Sequence, residues 1–150
     1  MSDRRLLSLK YQTKGVRSKG LMPFLCMMIN KLLNYCIAAV WLANGLFCKV
    51  LNLVPRHQQI VARILGEQYS AVLTKAIGFA EISMAVWIVA GIWHRLNAIT
   101  QIVVIAIMNV LEFILVPDLL LWGRLNLLFA AMFILVIWYN AFYLKLKPAH

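Results

Sequence analysis

Ile105 to Asp118 reads IAIMNVLEFILVPD, a run that belongs in hydrocarbon except for the amide of Asn109 and the carboxylate of Glu112. Its two ends define a helix that crosses a membrane: Pro117 stops it, and eight residues upstream of Asn109 the same face carries Gln101. Gln101, Ile105, Asn109 and Glu112 are spaced i, i+4, i+8 and i+11, so they share one stripe. The two polar groups therefore face a common neighbour, and that neighbour has to be sought elsewhere in the chain.

The whole sequence makes the bilayer the only reasonable solvent. Of its 150 residues, 63% are hydrophobic and 13% are charged, against roughly 45–50% apolar in soluble domains. A chain this short would need polar residues to cover a water-facing surface. Four apolar runs approach the ~20 residues that span a ~30 Å hydrocarbon layer. They are Leu32–Asn52, Val72–Trp93, Leu96–Pro117 and Leu125–Leu144. The fold class expected is all-α, an integral membrane four-helix bundle. LMPFLCMMI, ahead of the first run, resembles a signal-peptide core, but the apolar sequence continues past Asn30 and Lys31 with no small-residue cleavage pattern. It reads instead as a short interfacial helix or an early start to the first span.

The connections add detail. His94–Asn97 is so short that the second and third spans form an antiparallel hairpin. Between the first and second spans, Ile60, Val61, Ile64 and Leu65 recur at helical spacing among Gln58, Gln59, Arg63 and Glu67. That pattern is an amphipathic helix, lying flat on the surface or tucked over the bundle mouth.

Charge sets the expected orientation. The formal net charge is +10, and seven of the fifteen Lys and Arg precede Leu32. With the N-terminus inside, ten basic residues lie on the cytoplasmic side and at most five outside, which places both termini in the cytoplasm. The division expected is a basic cytoplasmic segment over 1–31, a transmembrane domain over 32–144 and a short basic tail over 145–150. No nucleic-acid recognition module accompanies the basic tail, so its partner is the anionic lipid surface. Cys26, Cys36 and Cys48 form no C-x-x-C pair, and His57, His94 and His150 are scattered, so neither a redox pair nor a metal site is read here.

Six polar side chains in the spans fall in the outer half of the bilayer. From 1.5 Å of rise per residue, Lys49 and Lys75 lie about 5 Å deep, Glu112 about 8 Å, Asn44 and Asn109 about 12 Å and Glu81 about 13 Å. A lone charge at the bilayer centre costs about 2.5–3.5 kcal/mol on insertion scales, and pairing is the cheapest remedy. Gly45 and Lys49 share a face of the first span; Gly78, Glu81 and Ala85 form a small-residue stripe on the second, and small residues let helices approach closely. The expected cluster is Lys49, Glu81, Glu112, Asn109, Asn44 and Lys75, with Asn44 turned partly aside. Either lysine can instead snorkel to headgroups. For the glutamates, a structural ion pair, a functional group and a tolerated protonated carboxyl all stay open.

WLANGLFCKVL at the end of the first span, the Gly78/Glu81 second span, NVLEFILVP and Asn126 together resemble the DoxX-like membrane proteins, over about Leu33 to Tyr143. The resemblance implies a four-helix transmembrane bundle in a bacterial inner membrane. The family's namesake belongs to a membrane thiosulfate:quinone oxidoreductase, but fold similarity does not carry that reaction over, and no catalytic residue of the namesake is matched onto this chain. The resulting expectation is a DoxX-like integral membrane protein that binds a small lipophilic or anionic ligand, such as a quinone, in an outward-facing polar cavity. It would serve as the membrane subunit of a redox complex, with cofactor or partner subunit supplied from outside. The competing reading is a non-enzymatic assembly or scaffold protein whose buried polar cluster fixes helix register.

Overall fold

A computed structural model describes residues 24–119 and 125–144. Four helices in it are long and apolar enough to cross a membrane. Helix α1 runs Phe24–Val50, with its last part, Ala43–Val50, wound as a π-helix. Helix α2 is Arg56–Leu65, α3 is Ser70–Ala90, α4 is His94–Leu115, and α5 is Leu125–Trp138, continued by a π-wound end, Tyr139–Leu144. The all-α membrane bundle expected from the apolar runs is what the chain forms.

The first span starts early: its helix is continuous from Phe24, well before Leu32. Asn30, the residue that breaks the apolar run, is satisfied inside the bundle. Its Nδ2 donates to the backbone oxygen of Asn140 at 3.1 Å and to that residue's Oδ1 at 2.9 Å, while Asn140 Nδ2 donates to Asn34 Oδ1 at 2.7 Å. A polar residue paired in this way does not end a membrane helix.

The hairpin between the second and third spans also shifts. Its turn is Gly91–Trp93, and His94–Asn97 is instead the first turn of α4. Gly91 adopts φ +67°, where a side chain would be strained, and its N–H closes α3 onto the carbonyls of Trp87 and Ile88, both at 3.2 Å.

Most large apolar side chains face outward. Val72 is 70% exposed, Ile114 66% and Phe79 59%, values that would mark an aggregating surface in water but here mark the side wetted by lipid. The core is correspondingly narrow: Ile37, Ala38 and Trp41 of α1, Ala85 and Ile88 of α3, Ala98 and Ile105 of α4, Ile137 and Ala141 of α5. The π-wound end of α1 packs on α3, α4 packs on α5, and α2 lies against α3 and the end of α1. An exposed ion pair, Arg63 to Asp118 at 3.4 Å, ties α2 to the turn that follows α4. In its exposed setting that pair is worth at most about 1 kcal/mol.

Candidate functional site

Two glycines set the site. A Cβ placed on Gly45 would stand 2.6 Å from the carbonyl oxygen of Gly78, and one on Gly78 would stand 2.8 Å from that of Gly45. Helices α1 and α3 therefore touch backbone to backbone. One turn beyond Gly45 is Lys49, and three residues beyond Gly78 is Glu81. The close crossing brings them together: Lys49 Nζ donates to Glu81 Oε1 at 2.6 Å, with both residues buried, 5% and 6% exposed. Lys49 does not snorkel. Glu81 Oε2 is buried too and finds no hydrogen-bond partner among the described residues.

The third and fourth spans add a second group at the same end. Asn126 Nδ2, from the first turn of α5, donates to Asn109 Oδ1 at 3.1 Å and lies 3.5 Å from Glu112 Oε2. Asn109 Nδ2 turns back onto the carbonyl of Ile105 at 2.9 Å. Lower on the stripe, Gln101 accepts from Trp41 Nε1 at 2.9 Å and donates to Asn97 Oδ1 at 2.6 Å, a buried chain that fixes α1 against α4.

These groups enclose a cavity of about 390 Å³. Lys49, Glu81, Asn109, Glu112 and Asn44 all line it; Trp41, Ile105, Phe129 and Phe133 supply apolar wall. Asn44 is exposed and stands at the edge, its Oδ1 accepting weakly from Cys48 Sγ at 3.9 Å. Lys75 is not brought in: it is exposed on α3, outside the lining of this cavity, and among the described residues neither ion pair includes it. Its position explains this, since it sits about 120° around the helix from Glu81.

Three hydrophilic lining residues fall outside the expected cluster: Arg56, His57 and Asn126. Arg56 and His57 open α2, which leans over the cavity mouth, the second of the two placements its sequence allowed. Buried Arg56 Nε and His57 Nδ1 also lack hydrogen-bond partners among the described residues. The signal for Asn126 was its height, since a polar residue opening α5 meets the α4 end that carries Asn109.

Burial, then the Lys49 and Arg56 cations, lower the His57 pKa from the usual 6.5 to about 4. The docked imidazole is therefore neutral at neutral pH. Among the cavity's charged side chains, two cations (Lys49, Arg56) face two carboxylates (Glu81, Glu112). Undocking of α2 would return His57 to ordinary proton affinity. The linkage then has one sign: docking is fully favoured above about pH 6.5 and loses ground as pH falls toward 4. Amide exchange of α2, corrected for intrinsic rates, is expected to lose protection over that window in the wild type but not in His57→Gln. Superimposable protection curves would contradict the linkage.

The sequence pattern of one known family runs across these same elements, matching residues 38–139 from α1 to the end of α5. The chain belongs to the DoxX-like family. The match takes in Lys49, Glu81, Asn109, Glu112 and Asn126, and so the whole polar end of the bundle, while the basic N-terminal segment lies outside it. No curated protein and no solved structure matches the chain.

Proposed function

We propose that this DoxX-like membrane protein binds a small lipophilic ligand in the polar cavity between the ends of its four spans, with the cavity opening on the non-cytoplasmic side and both termini in the cytoplasm. The observation that carries the reading is Glu81 Oε2. A carboxylate oxygen buried without a partner costs about 1–3 kcal/mol or more, and a donor delivered into the cavity would relieve it after a small rotation of the carboxyl. Arg56 Nε and His57 Nδ1, orphaned at the same mouth, offer the complementary contacts.

Lys49 pairs with Glu81 and orients it, Asn109 and Asn126 supply amides that orient the ligand's polar end, and Trp41, Phe129 and Phe133 cover its apolar part. An equal count of cations and carboxylates suits a neutral polar head better than a strong anion. A quinone in its reduced, hydroxyl-bearing quinol form meets that description, and as the membrane subunit of a redox complex the protein would present such a ligand to a partner that carries the redox chemistry.

Mass spectrometry of lipids extracted from the protein purified out of native membranes tests this. A stoichiometric lipophile is expected with the wild type and at least tenfold less with Lys49→Met and with Arg56→Gln, the second of which leaves the buried ion pair alone. Equal lipid content in all three would favour the scaffold reading, in which Lys49, Glu81 and the glycine crossing serve only to fix helix register.

A further inference from the structure

Helix α2 covers more than the polar cavity. Its sequence turns Ile60, Val61 and Ile64 to one side, and beneath that side runs a second, nearly all-apolar space of about 150 Å³, walled by Ile64 and Leu65 of α2, Ile77 of α3 and Leu111 of α4. The two spaces are continuous in their walls: Lys49, His57, Ile60, Met108 and Glu112 line both. Of its wall residues Leu65 is 56% exposed and Leu111 42% exposed, so the groove reaches the lipid-facing flank of the bundle. Its volume is roughly five times the ~30 Å³ share of a water molecule. That is room for a short stretch of one hydrocarbon chain.

A polar chamber joined to a narrow apolar groove specifies an amphiphile. The chamber also specifies the head. Glu81 Oε2 is an acceptor in want of a donor, Arg56 Nε–H is a donor in want of an acceptor, and a hydroxyl, which both donates and accepts, matches either once that side chain turns toward the cavity. The matched charges in the lining leave no surplus for a charged head. We propose that the occupant is a single-chain amphiphile whose neutral, hydroxyl-bearing head lies in the polar cavity and whose hydrocarbon chain passes through the groove under α2 to the bilayer. This rests on the ligand-binding reading above and adds the chemical class and the lateral route of entry. The tail leaves one apolar medium for another, so the groove contributes orientation and selectivity for a single chain more than affinity.

Photolabelling separates the two claims. The probes are 1-monoacylglycerols carrying a diazirine either in the middle of the chain or on the glycerol, applied to the protein in lipid nanodiscs and mapped by peptide mass spectrometry. The chain probe is expected to label the segments containing Ile64, Ile77 and Leu111, and Leu111→Trp or Ile64→Trp to cut that labelling at least tenfold. Both variants should also weaken labelling by the head probe around Trp41 and Phe133, because the chain tethered to that head loses its path. A chain probe spread evenly over exposed Val72, Phe79 and Ile114, and indifferent to both tryptophans, would overturn the groove while head labelling kept the cavity. A head probe that marks no cavity residue would remove both.

Discussion

Lys49→Met is expected to destabilise the bundle by about 3–5 kcal/mol, because it leaves Glu81 as an uncompensated carboxylate in a low-dielectric interior. Glu81→Met should cost a similar amount by stranding Lys49. The double variant Lys49→Met/Glu81→Met is expected to lose far less than the sum, since both charges leave together and methionine packs well in irregular space. A double-mutant cycle on reversible unfolding in mixed micelles or by steric trapping measures the coupling. Strict additivity of the singles would mean that the 2.6 Å contact carries no energy. The cycle also bears on function, for a double variant that regains stability without regaining ligand assigns the pair to binding as well as to folding.

The second large effect lies in the backbone beneath that pair. Gly78→Val places its Cβ 2.8 Å from the Gly45 carbonyl oxygen and 2.9 Å from Val50 Cγ2, and no rotamer removes a clash with a carbonyl. Helices α1 and α3 must part. The expected cost is at the upper end of the ~1–3 kcal/mol typical of overpacking, accompanied by loss of ligand, because Lys49 and Glu81 are separated as the crossing widens. Gly45→Val should behave alike. On the exposed side of the same helix, Ala80→Val is expected to stay within about 0.5 kcal/mol of wild type. A Gly78→Val protein as stable as Ala80→Val would show that the crossing is not what holds the site.

The four spans are legible in the sequence because lipid as solvent imposes one requirement, a long apolar run with its hydrogen bonds closed internally. The pair at the glycine crossing is also legible, since Gly45 with Lys49 and Gly78 with Glu81 each stand at helical spacing and lie, by residue count, at the same end of their spans. Helical phase could have separated Lys75 from Lys49 as well. Thr74, Gly78, Glu81 and Ala85 form the buried stripe of α3, and Lys75 lies off it, although rise alone gives both lysines the same depth.

Other features depend on contacts that spacing does not encode. Asn30 meets Asn140 across 110 residues of chain, and nothing local to either asparagine names the other. The amphipathic pattern of α2 fixes which face is apolar but not what that face covers, so Arg56 and His57 enter the site only once the helix is placed. Gly91 could have marked the true turn, as a glycine at the end of an apolar run is a common helix stop, but the polar HRLN beside it is the louder signal and belongs to the next helix.

The central claim is that a buried cross-helix ion pair frames a chamber that takes a lipophilic guest. A high-resolution structure of the protein carried in its native membrane patch tests it most directly. The account predicts Lys49 Nζ in hydrogen-bond contact with Glu81 and a discrete non-protein density reaching Glu81 and Arg56, with a thin extension under α2. Carboxyls of Glu81 and Glu112 turned out to the acyl chains, or a chamber closed by its own side chains, would contradict it.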